Sequence, residues 1–560
     1  MFTDQDEVAP DKEQVTSSAG STDQNSSKTV VVSGQPTAKK GFKFWAIIAT
    51  LSLVGNLTAL EATIVSTALP TIITDLHGAD KYLWVANAYL LSLTALQPIF
   101  GQFANVFGRR YPMLVATALY TLGSGICGGA NNIQMLIAGR VIQGIGAAGI
   151  NVLIEIIVCD IAPLRERGLY LGIVVGSNLF SSGLGPLFGG LIVQNTNWRW
   201  VFYLNLPVGG ASLAALFFFL QVKYDKEMTF TERLKRLDLG GSVIFVGSAI
   251  SSLIALSWAG STYAWSSVQV ILPLVLGFVG LGCFLIYETF VVDPIMPLRL
   301  FQNRTSLTAF FLTFLHALGV MMPLYFLPVY FQAVLGADPE HSGIYLLPTI
   351  LTIIPAAMAS GILLQRVGRY KPIHFIGSAA LAVSFGLFSL LDENSSTAAW
   401  VLFQMLMSTG AGLIIPTLLP AVQAELTDAD TGSATGTWTF VRSFGMTWGV
   451  TIPSTIFNDR TTQLSSRIQD PSVVSVLTGG KAYEHATKDF VDSITDPVVR
   501  AQVVSVFSDS LKRMWQVGIA FVALSFFVVF IEKEVPLRKE LDTEYGIKKE
   551  DVKKEPENAV

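Results

Sequence analysis

GQFANVFGRRYP, residues 101–112, returns as GILLQRVGRYKP, residues 361–372. Gly101, Gly108, Arg109 and Pro112 stand at the same spacing as Gly361, Gly368, Arg369 and Pro372. Both copies are loops set between apolar runs. Runs of about twenty apolar residues, the length that crosses a bilayer core at the helical rise, recur from Phe44 to Phe530. Of the 560 residues 51% are hydrophobic and 14% charged, against about a quarter charged in a soluble domain. Backbone facing lipid must satisfy its own hydrogen bonds, so these runs predict a bundle of spanning helices, an all-α membrane protein.

Fourteen spans are expected, at 44–66, 82–105, 113–131, 134–157, 168–193, 200–222, 239–258, 268–290, 305–333, 342–364, 372–391, 399–424, 436–457 and 512–531. Each copy of the repeated loop follows the second span of a group of six. This divides the chain into a six-helix half at 44–222, a linker with two inserted helices at 223–290, and a second six-helix half at 291–531. Such related halves rock about a site near the bilayer midplane in transporters.

Basic residues in short loops mark the cytosolic side. With the N-terminus inside, the cytosolic loops hold Arg109 and Arg110; Arg165 and Arg167; Lys223, Lys226, Arg233, Lys235 and Arg236; Arg299 and Arg304; and Arg366, Arg369 and Lys371. The short outer loops offer Lys81 and Arg199, and the long 458–511 segment falls outside. Residues 1–43, rich in Ser, Thr, Asp, Gln and Lys, lack the features of a signal peptide and are expected as a disordered cytosolic tail; residues 532–560 read the same way.

The net charge of -4 is small and its basic residues are scattered through loops, which gives no footprint for nucleic acid. Cys127, Cys159 and Cys283 lie in or beside apolar runs without a CxxC pair and read as packing residues. There is no phosphate-binding Walker loop, no GxSxG and no metal-ligand spacing, which argues against an ATP-driven pump, a membrane hydrolase, a cofactor or a bound metal. Of four sequons, only Asn394 falls in an expected outer loop; Asn25, Asn56 and Asn303 fall in cytosolic or membrane segments.

Several spans carry residues that hydrocarbon penalises. In LIAGRVIQGIGAAG of span 4, Arg140 costs a few kcal/mol even on the lenient insertion scale, so it either serves function or bonds a carbonyl and snorkels outward. In LEATIVSTALP of span 1, Glu61 lies in the outer half, either as a protonatable carboxylate or as a structural one bonded to a neighbouring helix. GSNLFSSGLGPLFGG of span 5 places Gly176, Gly185, Gly189 and Gly190 along a helix that Pro186 bends. Glu155, His316 and Arg442 are further polar groups within spans, candidates for a cavity.

These stretches resemble the signature elements of the major facilitator superfamily. GQFANVFGRR is similar to its loop between the second and third spans, a gating loop here made of Gly101, Asn105, Gly108, Arg109 and Arg110, with Asn105 where the family usually carries Asp. The span-4 stretch resembles an element whose Arg takes part in proton transfer. The span-5 stretch resembles the motif that marks antiporters. LEATIVSTALP, NWRWVFYLNLPVGG and PIMPLRLFQNRT are similar to elements of the fourteen-span drug:proton antiporter branch, with Glu61 in place of the usual Asp. The resemblance covers residues 44–450 and implies a fungal, monomeric, proton-coupled exporter of small organic molecules such as toxic metabolites or drugs. It would sit in the plasma membrane, or in a vacuolar or vesicle membrane. An importer of the same fold, for example of siderophores, and a non-transporting sensor are the alternative readings.

Overall fold

The computed structural model describes residues 40–76, 82–221, 229–260 and 262–539. Contacts separate a leading unit, Met1–Gly41, from a second, Phe42–Val560, and the architecture below belongs to the second. Residues 1–39 and 540–560 of the expected tails, the basic residues Lys81, Lys223 and Lys226, and the sequon at Asn25 lie outside the described residues.

Among the described residues fourteen long helices carry the fold: α1 (Phe42–Leu76), α2 (Tyr82–Phe107), α3 (Arg110–Gly128), α4 (Ile133–Ile161), α5 (Leu164–Asn195) and α6 (Asn205–Phe219), then α7 (Leu239–Trp258) and α8 (Val268–Glu288), then α9 (Arg304–Val329), α10 (Leu347–Val367), α11 (Lys371–Phe388), α12 (Thr397–Gln423), α13 (Thr431–Leu464) and α14 (Pro497–Ile531). Twelve helical segments are long and apolar enough to cross a membrane. α3 and α13 are not among them, because Gly, Ser and Thr dilute their apolar residues and Arg442 interrupts α13. Both are nonetheless packed inside the bundle, so the arrangement is compatible with fourteen spans.

The same packing order occurs twice. α1 lies on α5, α2 on α4, and α3 on both α4 and α6; eight helices later, α9 lies on α13, α10 on α12, and α11 on both α12 and α14. The two six-helix halves meet along α2 with α13 and α5 with α10, while α7 and α8 pair with each other and lean on α2 and α13. Glycine permits the crossings. A Cβ on Gly101 would stand 2.7 Å from the Gly432 carbonyl oxygen, and one on Gly361 would stand 2.7 Å from the Leu169 Cα. The repeated loops also share a left-handed turn, at Gly108 (φ 77°) and Gly368 (φ 73°), a conformation that penalises a Cβ.

Several helices run past the expected ends. α1 extends to Leu76, α13 starts at Thr431 and α14 starts at Pro497, because hydropathy marks only the part of a helix in hydrocarbon and backbone bonding continues into water. The 458–511 segment is therefore no open loop. It holds the last turns of α13, short helices at Pro471–Leu477, Ala482–His485 and Lys488–Ser493, and the first turns of α14, with Leu477, Ala482 and Val503 fully buried. Asn458 pins it, donating to the carbonyls of Gly260 (3.0 Å) and Gly480 (2.8 Å) and accepting from the Tyr483 N–H (2.8 Å).

The start of the expected C-terminal tail also departs from expectation. Residues 532–539 lie against the bundle without regular secondary structure. Glu532 is buried against His374 at 2.9 Å, the Tyr370 hydroxyl donates to the Lys533 carbonyl at 2.6 Å, and Arg538 donates to the Leu426 carbonyl at 3.1 Å. Charged composition suggested a solvated tail, but these charges find partners on the end of the bundle.

Candidate functional site

Glu61 sits near the middle of α1 and is 1% exposed. A lone carboxylate there would be costly in hydrocarbon, and four helices supply what compensates it. The Arg140 Nη1 of α4 reaches Glu61 Oε1 at 2.8 Å, and the Asn205 amide of α6 donates to Oε2 at 2.7 Å. Arg140 also donates to Gln143 Oε1 (2.7 Å) and to the Val85 carbonyl of α2 (3.1 Å), and its guanidinium lies 4.3 Å over the Tyr89 ring. Gln143 in turn donates to Ser124 Oγ of α3 at 2.8 Å. Arg140 does not snorkel; it closes a sealed network inside the first half.

Sequence reasoning singled out Glu61 and Arg140 and missed Tyr89, Ser124, Gln143 and Asn205. Gln143 and Asn205 lie in stretches already notable, LIAGRVIQGIGAAG and NWRWVFYLNLPVGG, but a neutral amide raises no alarm in a hydropathy profile. Only adjacency to a buried charge gives it meaning.

The glycines of α5 face different neighbours. A Cβ on Gly185 would stand 2.0 Å from Thr63 Oγ1 and 3.0 Å from the Ile64 nitrogen, so α1 and α5 are in close contact there, three residues from Glu61. Pro186 has no N–H to offer the Ser182 carbonyl one turn back; the Thr63 hydroxyl donates to that carbonyl instead, at 2.8 Å. Gly176 faces Ile354 of α10, across the boundary between halves, and Gly190 faces open space. Gly189 is buried in the same helix.

Glu155 and Arg442, separate candidates in the sequence, form a second ion pair at 2.8 Å, between α4 of the first half and α13 of the second. The Thr439 hydroxyl donates to the other oxygen of Glu155 at 2.8 Å, and the Arg442 guanidinium lies 4.4 Å over Trp438. His316 does not join them; its Nε2 lies 3.1 Å from the Ala411 carbonyl, between α9 and α12.

At the basic end of the bundle the loop arginines act as clamps. Arg109 is 2% exposed and pairs with Asp160 at 2.6 Å, while Arg110 donates to the Phe217 carbonyl at 2.7 Å. Arg165 donates to the carbonyls of Gln365 and Arg366 that end α10; Arg167 reaches Gln423 at 2.7 Å and Asp428 at 3.8 Å. Asn105 donates to Ser433 Oγ at 3.2 Å, at the first turn of α13. Cys159, buried, faces Gln423 at 3.6 Å. Among the described residues, the side-chain bonds between the two halves gather at this end, with Glu155 and Arg442 the deepest of them. Outside the spans, hydrogen bonds from Arg236 hold the Asp293 carboxyl below its ordinary pKa. Asn394 is exposed in the loop between α11 and α12, at the opposite end.

These features have counterparts. The family profile of the Major Facilitator Superfamily matches residues 51–450. The chain is 55% identical over 523 residues to the MFS-type transporter gkaD of Penicillium citrinum, covering 93% of this chain and 89% of that one. It is 46% identical to the efflux pump FUS6 of Gibberella fujikuroi, covering 92% and 93%. In fold it is similar to the human organic anion transporter MFSD10, with a TM-score of 0.54 at 14% identity over 88% of this chain and all of that one. It is likewise similar to the proton:xylose symporter XylE, with a TM-score of 0.52 at 13% identity over 82% and 98%. At such identities the structures speak for the fold alone. Two packed six-helix halves, the signature loop between α2 and α3, and relatives along nearly the whole length together establish that the chain belongs to the major facilitator superfamily and is a multi-pass membrane transporter of small molecules.

Proposed function

We propose that the protein exports small organic molecules, toxic metabolites or drugs, across the plasma membrane in exchange for protons. The halves 44–222 and 291–531 would rock about a central site, with the insert 223–290 moving alongside them. Residues 1–43 and 532–560 would be cytosolic and the 458–511 cap extracellular, as the arginine-rich loops favour. Relatives named as efflux pumps support the direction of transport, and the glycine-rich α5 is in keeping with it.

The observation that carries the reading is the Glu61–Arg140 pair, sealed in the first half and adjoining the α1–α5 contact at Gly185. A proton on Glu61 cancels the charge that holds Arg140, and the network of Asn205, Gln143 and Ser124 must then redistribute. That rearrangement bears on α1 where it abuts α5, which itself contacts α10 of the other half. Proton uptake is thus joined mechanically to the boundary between halves.

The test is proton-gradient-dependent efflux from vesicles. Glu61→Gln is expected to abolish accumulation of cargo against its gradient, with efflux compared per molecule of protein in the membrane. Unchanged concentrative efflux in that variant would sink the assignment, and flux in the opposite direction would mark an importer.

A further inference from the structure

We propose that Arg442 is an anion-binding residue of the cargo site, recognising a carboxylate-bearing aromatic or polycyclic molecule in place of Glu155. The inference rests on the reading of the chain as an exporter with its site between the halves, and it adds the chemical class of the cargo.

Arg109, Arg140 and Arg442 each hold a buried carboxylate. The side chains of Arg109 and Arg140 are 1% and 3% exposed and hold partners within their own half; that of Arg442 is 22% exposed and its partner belongs to the other half. α4 and α13 face each other across the boundary, and the Glu155–Arg442 pair spans it. One turn before Glu155, the half-buried Asn151 adds a polar group to the same face of α4, and Thr58 of α1 lies 3.4 Å from it. Polar groups thus run from Thr58 of α1 through Asn151 and Glu155 of α4 to Arg442 of α13.

A guanidinium is weakly hydrated, stays charged, and offers planar donors that match a carboxylate. Trp438 beneath it holds the fork in one orientation and extends an apolar flank beside it. An incoming carboxylate that takes Arg442 leaves the cation compensated, while Glu155 keeps the Thr439 hydroxyl but loses its cation, a cost that opposes binding. Glu155 is then a built-in competitor. Cargo binding breaks a bond between halves, which links occupancy to their separation; a neutral molecule cannot make that exchange.

The experiment compares binding of pyrenebutyrate and its methyl ester to the full chain in lipid nanodiscs, by fluorescence anisotropy with partitioning into empty nanodiscs subtracted. No gradient is present, so failure of proton coupling at Glu61 would leave the result untouched. The acid is expected to bind more tightly than the ester. Glu155→Gln, which removes the competitor and keeps the Thr439 partner, should tighten the acid by roughly tenfold and leave the ester unchanged. Arg442→Gln should make acid and ester equal. Should Arg442→Gln fail to fold, the Glu155→Gln comparison decides alone. Equal binding of acid and ester in the wild type, or a shift of both together in Glu155→Gln, would overturn the proposal.

Discussion

Glu61 and Arg140 illustrate how a buried charge is made tolerable. Removing one partner of such a pair costs about 3–5 kcal/mol, because the other is left uncompensated in low dielectric. Replacing both by amides need not, since Gln at each position can still bond Asn205 and Gln143. Glu61→Gln alone is therefore expected to lower the melting temperature in detergent, and the double variant Glu61→Gln/Arg140→Gln to recover most of it. Efflux should remain lost in both. A double variant that regains transport would show the pair to be structural scaffolding, and the proton site would have to lie elsewhere. Neither residue's partner set was legible from sequence, because Asn205 and Ser124 come from α6 and α3, and only folding brings them within reach.

The seam between α1 and α5 carries a sharper test of how glycine pattern becomes geometry. Gly185 and Gly190 lie in one motif, yet a Cβ at Gly185 would press on Thr63 and the α1 backbone, whereas one at Gly190 meets nothing within 4 Å. Gly185→Ala is expected to cost about 1–3 kcal/mol through overpacking, seen as a lowered melting temperature and reduced efflux. Gly190→Ala should be neutral or slightly stabilising, as alanine is favoured in helices. Equal effects at the two positions would show that the seam yields. Sequence marks α5 as unusual; it does not say which glycine touches a neighbour, since the helix turns each toward a different element.

For the molecule as a whole, the inter-half bonds gather at the end carrying Arg109 and Arg165, so this conformation is closed there. Cys159 is a native reporter, buried beside Gln423, which also binds Arg167. Arg167→Ala removes the contacts to Gln423 and Asp428, and is expected to raise the rate at which N-ethylmaleimide modifies Cys159 by several-fold, followed by mass spectrometry. Cys127, buried within the first half, serves as the control and should not change. A rate at Cys159 that stays at the wild-type value would mean these clamps do not hold the halves together. By itself the sequence determined the membrane-spanning helical class, the grouping of spans around a repeated Gly-to-Pro loop, and the presence of charges too costly to be incidental. Those features are local: apolar length, loop charge and spacing along the chain follow from helix rise and bilayer thickness. Tertiary structure alone decided that Asn205, Gln143 and Ser124 complete the network around Glu61 and Arg140 inside one half, that Glu155 pairs with Arg442 between halves, and that the 458–511 segment folds as a cap. Each of those joins residues far apart in the chain, and partnership in low dielectric is settled by which side chains the packed helices bring within about 3 Å of each other.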